Sequence, residues 1–436
     1  MNGSKPVNAI SRALTSVVEV GKEILSRKLP VAQQGAAGVD VLRDLCRELY
    51  EHRGEASGLA LAAEVARIYG ELDDTDRRGF FECLLNDFAV DNEAIQEAAQ
   101  AYALEPDFQH LSTLSKAVEA PRQKLFRRIN MATGGTATLV AMRGHLQDLL
   151  REKPLLRAVD SDLKHLFVSW FNKGFLEMER ISWDTPASVL EKIIEYEAVH
   201  AINGWDDLRR RLAGDRACYA FFHPAIPGDP LVFVEVAFTG EIPGAIAPLL
   251  EGEATDDAPT ERDTVVFYSI SNCHRGLAGV SFGNFLIKQV VQEVLEEHPD
   301  TRNFVTLSPI PGFRGWLQSA DLEGLVDDSL VEHVRQPIGK VVAAEVRDAL
   351  MSLCAHYLVK ERSGRLARDP VARFHLGNGA RLHRLHWAAD LSDKGKEQSA
   401  GMMVNYLYDL DRIEINHEAY FDQGIIAVSK SITRLL

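Results

Sequence analysis

The hydrophobic period of this chain changes near residue 215, and that change limits its fold more than any other feature. Before it, apolar residues recur at helical spacing. In LVAMRGHLQDLL, Leu139, Met142, Leu146 and Leu149 fall on one face, and VLRDLCRELY (41–50) and EVARIYGEL (64–72) repeat the pattern. Thr136, after Gly134-Gly135, is expected to cap the first of these helices, and Thr185 with Pro186 to open another at DTPASVLEKII. No fixed period recurs from helix to helix, so a solenoid is not indicated. After the change, ACYAFF (217–222), LVFVEVAF (231–238), TVVFYSI (264–270) and NFVTL (303–307) are short runs of β-branched and aromatic residues between Gly, Pro and acidic loops. Such runs read as strands. The polar stretch GEATDDAPTERD (252–263) reads as a hairpin connection, and helices return at 284–297 and 338–361. The expected class is therefore α+β, a helical bundle followed by a sheet with a helical insertion.

Composition narrows the partners. At 436 residues, two or three domains are expected, with a core large enough to need no disulfides. The five cysteines are scattered without a CxxC, which argues against a zinc ribbon or redox dithiol. No run of 18 apolar residues is present to span a membrane. A net charge of −15 disfavours nucleic acid. It also requires that any phosphate-bearing ligand be held by local amides and a few nearby cations.

One loop has the composition for that task. TVVFYSI runs into SNCHRGLAGVSFG and then into an amphipathic helix, so Gly276, Gly279 and Gly283 stand where backbone could approach a pyrophosphate at a helix start. The pattern is neither a Walker A nor a clean GxGxxG. It resembles the coenzyme A-cradling turn of the GNAT acetyltransferases, with wider glycine spacing. A glycine-rich turn without a ligand is the plainer alternative. Arg275 and Lys288 are candidate phosphate partners, and a solvated surface is the simpler role for each.

The next strand ends in Ser308-Pro309-Ile310-Pro311-Gly312-Phe313, where two prolines fix the exit path and present the Ser308 hydroxyl at a strand end. A turn serine bonded to local backbone is the alternative. His375 lies in RFHLGNGA; Asn378-Gly379 is a turn signal that would place it at the lip of a turn, able to titrate near neutrality. His383 and His386 are nearby competitors, but HRLHW offers no third ligand at metal spacing.

Taken with PGDPLVFVEVAFTGEIP, RGLAGVSFGNFLIKQVV, TLSPIPGF, LMSLCAHYLVKE, PVARFHLGNGA and MMVNYLYDL, and with NMATGGTATLVAMR and GFLEMERISW in the helical half, the chain resembles the malonyl-CoA decarboxylase family. The resemblance implies an N-terminal helical domain (1–170), through which the chain would self-associate into a homo-oligomer. A GNAT-like catalytic domain (171–436) would follow. It implies a catalytic pair, Ser308 and His375, with Tyr408 of the NYLY block nearby. It also implies a substrate loop of Ala278, Gly279, Val280, Ser281, Phe282, Gly283 and Asn284, in addition to Ser308 and His375. Ser281 stands where animal members carry a glutamate, so no role for that carboxylate transfers. The substrate would be malonyl-CoA. No cofactor or metal is expected, because the thioester itself accepts the electrons. The cytoplasm is the expected compartment. A GNAT-type acyltransferase and a non-catalytic acyl-CoA-binding protein are the rival classes.

Overall fold

A computed structural model of the chain describes residues 38–52, 54–251, 262–280, 285–339 and 342–436. Most of the stretch read as a hairpin connection, 252–261, lies outside the described residues. The rest divides into two compact units.

The first unit comprises 38–176 with the segments 223–227 and 274–281. Its helices are α1 (Gly38–Glu51), α2 (Glu55–Glu71), α3 (Asp74–Asn86), α4 (Asn92–Leu104), α5 (Phe108–Ala117), α6 (Pro121–Asn130), α7 (Gly135–Leu149) and α8 (Arg157–Trp170). Local sequence starts them: Asp73, Asp91 and Asp107 each accept backbone N–H groups at the starts of α3, α4 and α5. Pro121 occupies the first position of α6, where its missing N–H is not needed. On α7, Leu139, Met142 and Leu146 are fully buried, as their spacing predicts. Thr136 does not cap that helix. Gly134, at φ +75°, takes the capping position, and Thr136 inside the first turn donates to Asn130 Oδ1 at 2.8 Å.

Segment 274–280 packs on α7. A side chain on Gly276 would begin 1.8 Å from the Val140 carbonyl oxygen. Buried Arg143 donates to the carbonyls of Gly276 (2.7 Å) and Ala278 (2.9 Å) while paired with Asp160 at 2.8 Å. The expectation for Gly276 is therefore corrected: its missing side chain makes room for a helix backbone.

The second unit comprises 177–222, 228–273 and 282–436. Its strands are β1 (Glu177–Ile181), β2 (Arg216–Phe222), β3 (Val232–Thr239), β4 (Thr264–Asn272), β5 (Asn303–Thr306), β6 (Ser308–Pro309), β7 (Arg362–Ser363), β8 (Leu366–Ala367), β9 (Arg381–His386) and β10 (Met403–Tyr408). Helices α9 (Ala187–Tyr196), α10 (Trp205–Arg211), α11 (Ala247–Glu251), α12 (Phe285–Glu297), α13 (Phe313–Ser319) and α14 (Val331–Arg335) precede the long α15 (Ala344–Val359). After it come α16 (Pro370–Gly377), α17 (Asp393–Ser399), α18 (Ile413–Gln423) and α19 (Lys430–Thr433). At α9 the helix begins after Pro186, and Thr185 Oγ1 accepts from Ser182 N–H at 3.0 Å instead of capping.

The main sheet is mixed and runs β1-β2-β3-β4-β5-β10-β6, with β9 paired to β10. Its parallel pair is β4 and β5, joined through α12; the other pairings are antiparallel. Strands β2 and β10 are buried along their whole length, so they read as continuous apolar runs, not as alternation. This is the α+β architecture expected, with helices α13 to α16 inserted between β6 and β9. No helix among the described residues is long and apolar enough to cross a membrane.

Because both colliding groups at Gly276 are backbone, neither can rotate away. Gly276→Ala is expected to destabilise the chain by on the order of 3 kcal/mol. Urea unfolding of the variant checks this; an unchanged midpoint contradicts the packing.

Candidate active site

Ser308 is placed by two strands and a turn. It begins β6 and pairs with Val404 of β10. The chain leaving it is tied down at two points, where Ile310 N–H donates to Ser399 Oγ (3.0 Å) and Gly312 N–H to Asp369 Oδ2 (3.3 Å). The same Asp369 caps α16, accepting from Val371 N–H and Ala372 N–H at 2.9 Å each. One fully buried carboxylate therefore anchors both the serine segment and the helix that carries His375.

The other end of α16 is closed by backbone. Gly379 N–H donates to Leu376 O (3.0 Å) and Ala380 N–H to His375 O (3.1 Å), with Gly379 at φ +83°. That pair of bonds is a Schellman termination, which needs glycine at its left-handed position. The Asn-Gly signal thus marks a helix end, not a hairpin, and His375 sits in the last helical turn, not at the lip of a loop.

The three expected side chains meet. Ser308 Oγ lies 3.1 Å from His375 Nε2, and His375 Nδ1 lies 2.8 Å from the Tyr408 hydroxyl. Ser308 donates onward to Thr306 Oγ1 (2.8 Å), which also accepts from Tyr406 N–H (3.1 Å). Burial raises the Tyr408 pKa far above the usual phenol range, so its hydroxyl stays protonated and donates to Nδ1. The Nε2–H then donates to Ser308, giving one polarity along the chain. The Tyr406 ring stacks on the imidazole at 4.7 Å. His383 and His386 lie on β9; His386 bonds to Asn405 instead.

The electrostatics differ from the expectation. Burial with no anion nearby depresses the His375 pKa from 6.5 to about 3. The imidazole is therefore neutral at physiological pH, and its two nitrogens act as one donor and one acceptor. Thr306, Tyr406, Asp369 and Asn378 complete the site, and the sequence reading missed all four. Only Asp369, directly before a proline that opens a helix, carried a local signal.

A cavity of about 280 Å³ lies in this unit, lined by Tyr408, Asn378, Leu410 and Ile413 and by Ile287, Lys288, Val291, Gln292, Leu295 and Glu296 of α12. Ser308 and His375 are each 5% exposed or less and do not line it, so Tyr408 is the member of the chain that reaches it. Lys288 at its rim is paired with Glu414.

Of the expected ligand loop, Ala278, Gly279 and Val280 belong to the first unit; Ser281, Phe282, Gly283 and Asn284 lie outside the described residues. Gly279 has φ +73°, and Lys164 Nζ is 3.1 Å from where a side chain on it would begin. Arg275 is engaged by Asp148 at 2.6 Å. Lys164 was not singled out in the sequence, since nothing local marks a helix lysine as close to a distant loop.

A mixed sheet that presents a buried serine–imidazole–phenol chain beside a cavity defines an α+β enzyme. Residues 174–436 match the family model described as malonyl-CoA decarboxylase C-terminal domain, and residues 88–171 the malonyl-CoA decarboxylase N-terminal domain. The mitochondrial malonyl-CoA decarboxylase of Anser anser anser is 35% identical over 415 residues, covering 85% of this chain and 82% of that protein. A crystal structure of malonyl-CoA decarboxylase from Rhodopseudomonas palustris superposes with TM-score 0.86 at 47% identity, over 92% of this chain and all of that one. The Agrobacterium vitis structure gives 0.82 at 45%, over 91% and 99%. The chain belongs to the malonyl-CoA decarboxylase family of carboxy-lyases.

The histidine sets a pH dependence. Its pKa is lower folded than unfolded, so between about 6.5 and about 3 the unfolded chain binds the extra proton. That contribution is fully present above 6.5 and is lost as pH falls through the window. The ring nitrogens of His375, followed by 15N NMR, are expected to show a neutral imidazole down to about pH 4. A midpoint near 6.5 would contradict its burial.

Proposed function

We propose that this chain decarboxylates malonyl-CoA to acetyl-CoA and CO2 without a cofactor, through a thioester enolate protonated at C2. The observation that carries the mechanism is the hydrogen-bonded chain Tyr408–His375–Ser308 inside the region that matches the family's C-terminal domain. Loss of CO2 leaves an electron pair at C2, which the adjacent thioester delocalises onto oxygen. The protein must orient the carboxylate, stabilise the oxyanion and return a proton. Orientation lowers a barrier by roughly 7–11 kcal/mol at most, and one good oxyanion donor by about 3–4 kcal/mol. Two or three such effects suffice without pyridoxal, thiamine, biotin or metal.

Ser308 turns its hydroxyl from Thr306 to the substrate carboxylate and holds the breaking C–C bond in line with the carbonyl π system. His375, neutral, supplies its Nε2 proton toward C2 as Nδ1 takes the Tyr408 proton; after product release water reprotonates Nε2 and Nδ1 returns the proton to Tyr408. A neutral donor suits this step, because a permanent imidazolium would bind the departing carboxylate and oppose its loss. The loop of Ala278, Gly279 and Val280, with Ser281, Phe282, Gly283 and Asn284, receives the pyrophosphate of coenzyme A. Since the Ala278 and Val280 N–H groups already donate to Arg275 O and Leu277 O (2.9 Å each), the Gly279 amide and Lys164 are its partners in the first part of the loop. The expected division assigns catalysis to 171–436 and self-association to 1–170. The cytoplasm is the proposed compartment, although the curated relative named above is a mitochondrial protein.

A homo-oligomer is supported by one surface of the helical unit. Helix α5 has no buried residue, and Leu104, Phe108, Leu111 and Val118 are 87%, 84%, 44% and 52% exposed. A second copy of the chain is the proposed cover. Light scattering should report an oligomer for the wild type and a smaller particle for the Leu104→Glu, Phe108→Glu double variant. Identical masses would refute this surface as the interface.

Mass analysis after incubation with malonyl-CoA alone is expected to show acetyl-CoA, with no second substrate required. Ser308→Ala and His375→Ala should each slow CO2 release by roughly 10²–10⁴-fold. Full activity in either variant sinks the role assigned to that residue.

A further inference from the structure

Asn378 carries an observation that the mechanism above does not use. It follows His375 by three residues, so the two side chains lie on neighbouring positions of one helix end. The helix is closed there by the backbone bonds of Gly379 and Ala380, leaving the Asn378 carboxamide with no capping task. The residue is 6% exposed, and its Nδ2 is buried with no close hydrogen bond to any described residue; the Tyr408 hydroxyl beside it could take only one of its two N–H groups. Its side chain lines the 280 Å³ cavity together with Tyr408, and it lies close enough to the Tyr408 phenol to oppose the effect of burial on it. The cavity wall is apolar at Ile287, Val291, Leu295 and Ile413 and polar at Lys288, Gln292 and Glu296 of α12, and the Asn378 amide is hydrogen-bonded to none of these. A buried N–H₂ group without an acceptor costs the folded state free energy that a ligand oxygen would return.

We propose that the Asn378 carboxamide donates to the thioester oxygen as it becomes the enolate, and so supplies the oxyanion donor of the reaction. The inference rests on the decarboxylase reading. As the C–C bond to the carboxylate breaks, its electron pair forms the C1–C2 double bond, and the carbonyl π pair moves to oxygen. The Nδ2–H meets that oxygen. CO2 leaves, C2 takes the proton from the imidazole, and the oxygen lone pair re-forms the carbonyl of acetyl-CoA. Water replaces the imidazole proton at Nε2 after product release, as Nδ1 returns to Tyr408 the proton it took from it. A neutral amide suits this position better than Arg or Lys, since a cation would grip the malonyl carboxylate in the ground state. The amide gains most when charge develops on the thioester oxygen, and its burial strengthens that gain.

Two reactions of the full-length chain separate this proposal from the reading beneath it. One is decarboxylation of malonyl-CoA; the other is exchange of the C2 hydrogens of acetyl-CoA with D2O, which passes through the same enolate without CO2. A wild type that does neither refutes the decarboxylase reading itself. With a competent wild type, Asn378→Ala and the isosteric Asn378→Asp are each expected to lower kcat about 10²–10³-fold. Exchange should fall by a similar factor, while KM for malonyl-CoA moves less than about threefold. Asn378→Asp keeps the side-chain shape, so the result does not depend on the alanine variant folding. The proposal is overturned if either variant keeps kcat and exchange near wild type, or if only KM changes.

Discussion

Asp369 is the group on which the candidate site depends. It is fully buried, and it accepts backbone N–H groups from Val371, Ala372 and Gly312, with the Tyr357 hydroxyl at 3.5 Å. Burial raises its pKa, and the three backbone donors pull the other way. Two distant segments thereby share one acceptor, the exit path of Ser308 and the first turn of α16. The hydrogen bond between the Ser308 and His375 side chains, 67 residues apart, is supported from behind by this carboxylate. The prolines at 309 and 311 remove slack on one side, and the Schellman termination removes it on the other.

The result is a polar chain in a dry setting. From Tyr408 to Thr306 each hydroxyl or ring nitrogen has a partner, and none of these residues is more than 5% exposed. In such surroundings a neutral imidazole is the stable form, and protons move by switching hydrogen bonds, not by accumulating charge. Decarboxylation is suited to this environment. The substrate brings its own negative charge, and the transition state only spreads it.

Much of this was legible in the sequence. Strand β4, strand β5 and helix α12 follow from β-branched runs and helical spacing, and Ser308 from a strand ending in two prolines. Strands β1 and β9 were missed because EMERI and RLHRLH are rich in charge, and β10 was noticed only as a block of family likeness. Asn378-Gly379 announced a chain reversal correctly, but whether a helix or a strand precedes it depends on packing that one sequence does not display. The histidine's ionisation was misjudged for the same reason, since burial by Tyr406 and Tyr408 is a tertiary fact. Gly276 is the plainest case. A missing side chain is equally legible whether the space serves a ligand or a backbone.

That glycine has a consequence for how the chain can be divided. The segment leaving β4 belongs to the helical unit, pressed on Val140 and Gly144 and held through its carbonyls by Arg143. A cut between the two family-model regions would therefore strip a sheet-borne loop of its brace while leaving every strand intact. The helical half is thus a brace in cis for one short stretch of the other half's chain. Neither family-model region carries by itself all the contacts that this stretch makes.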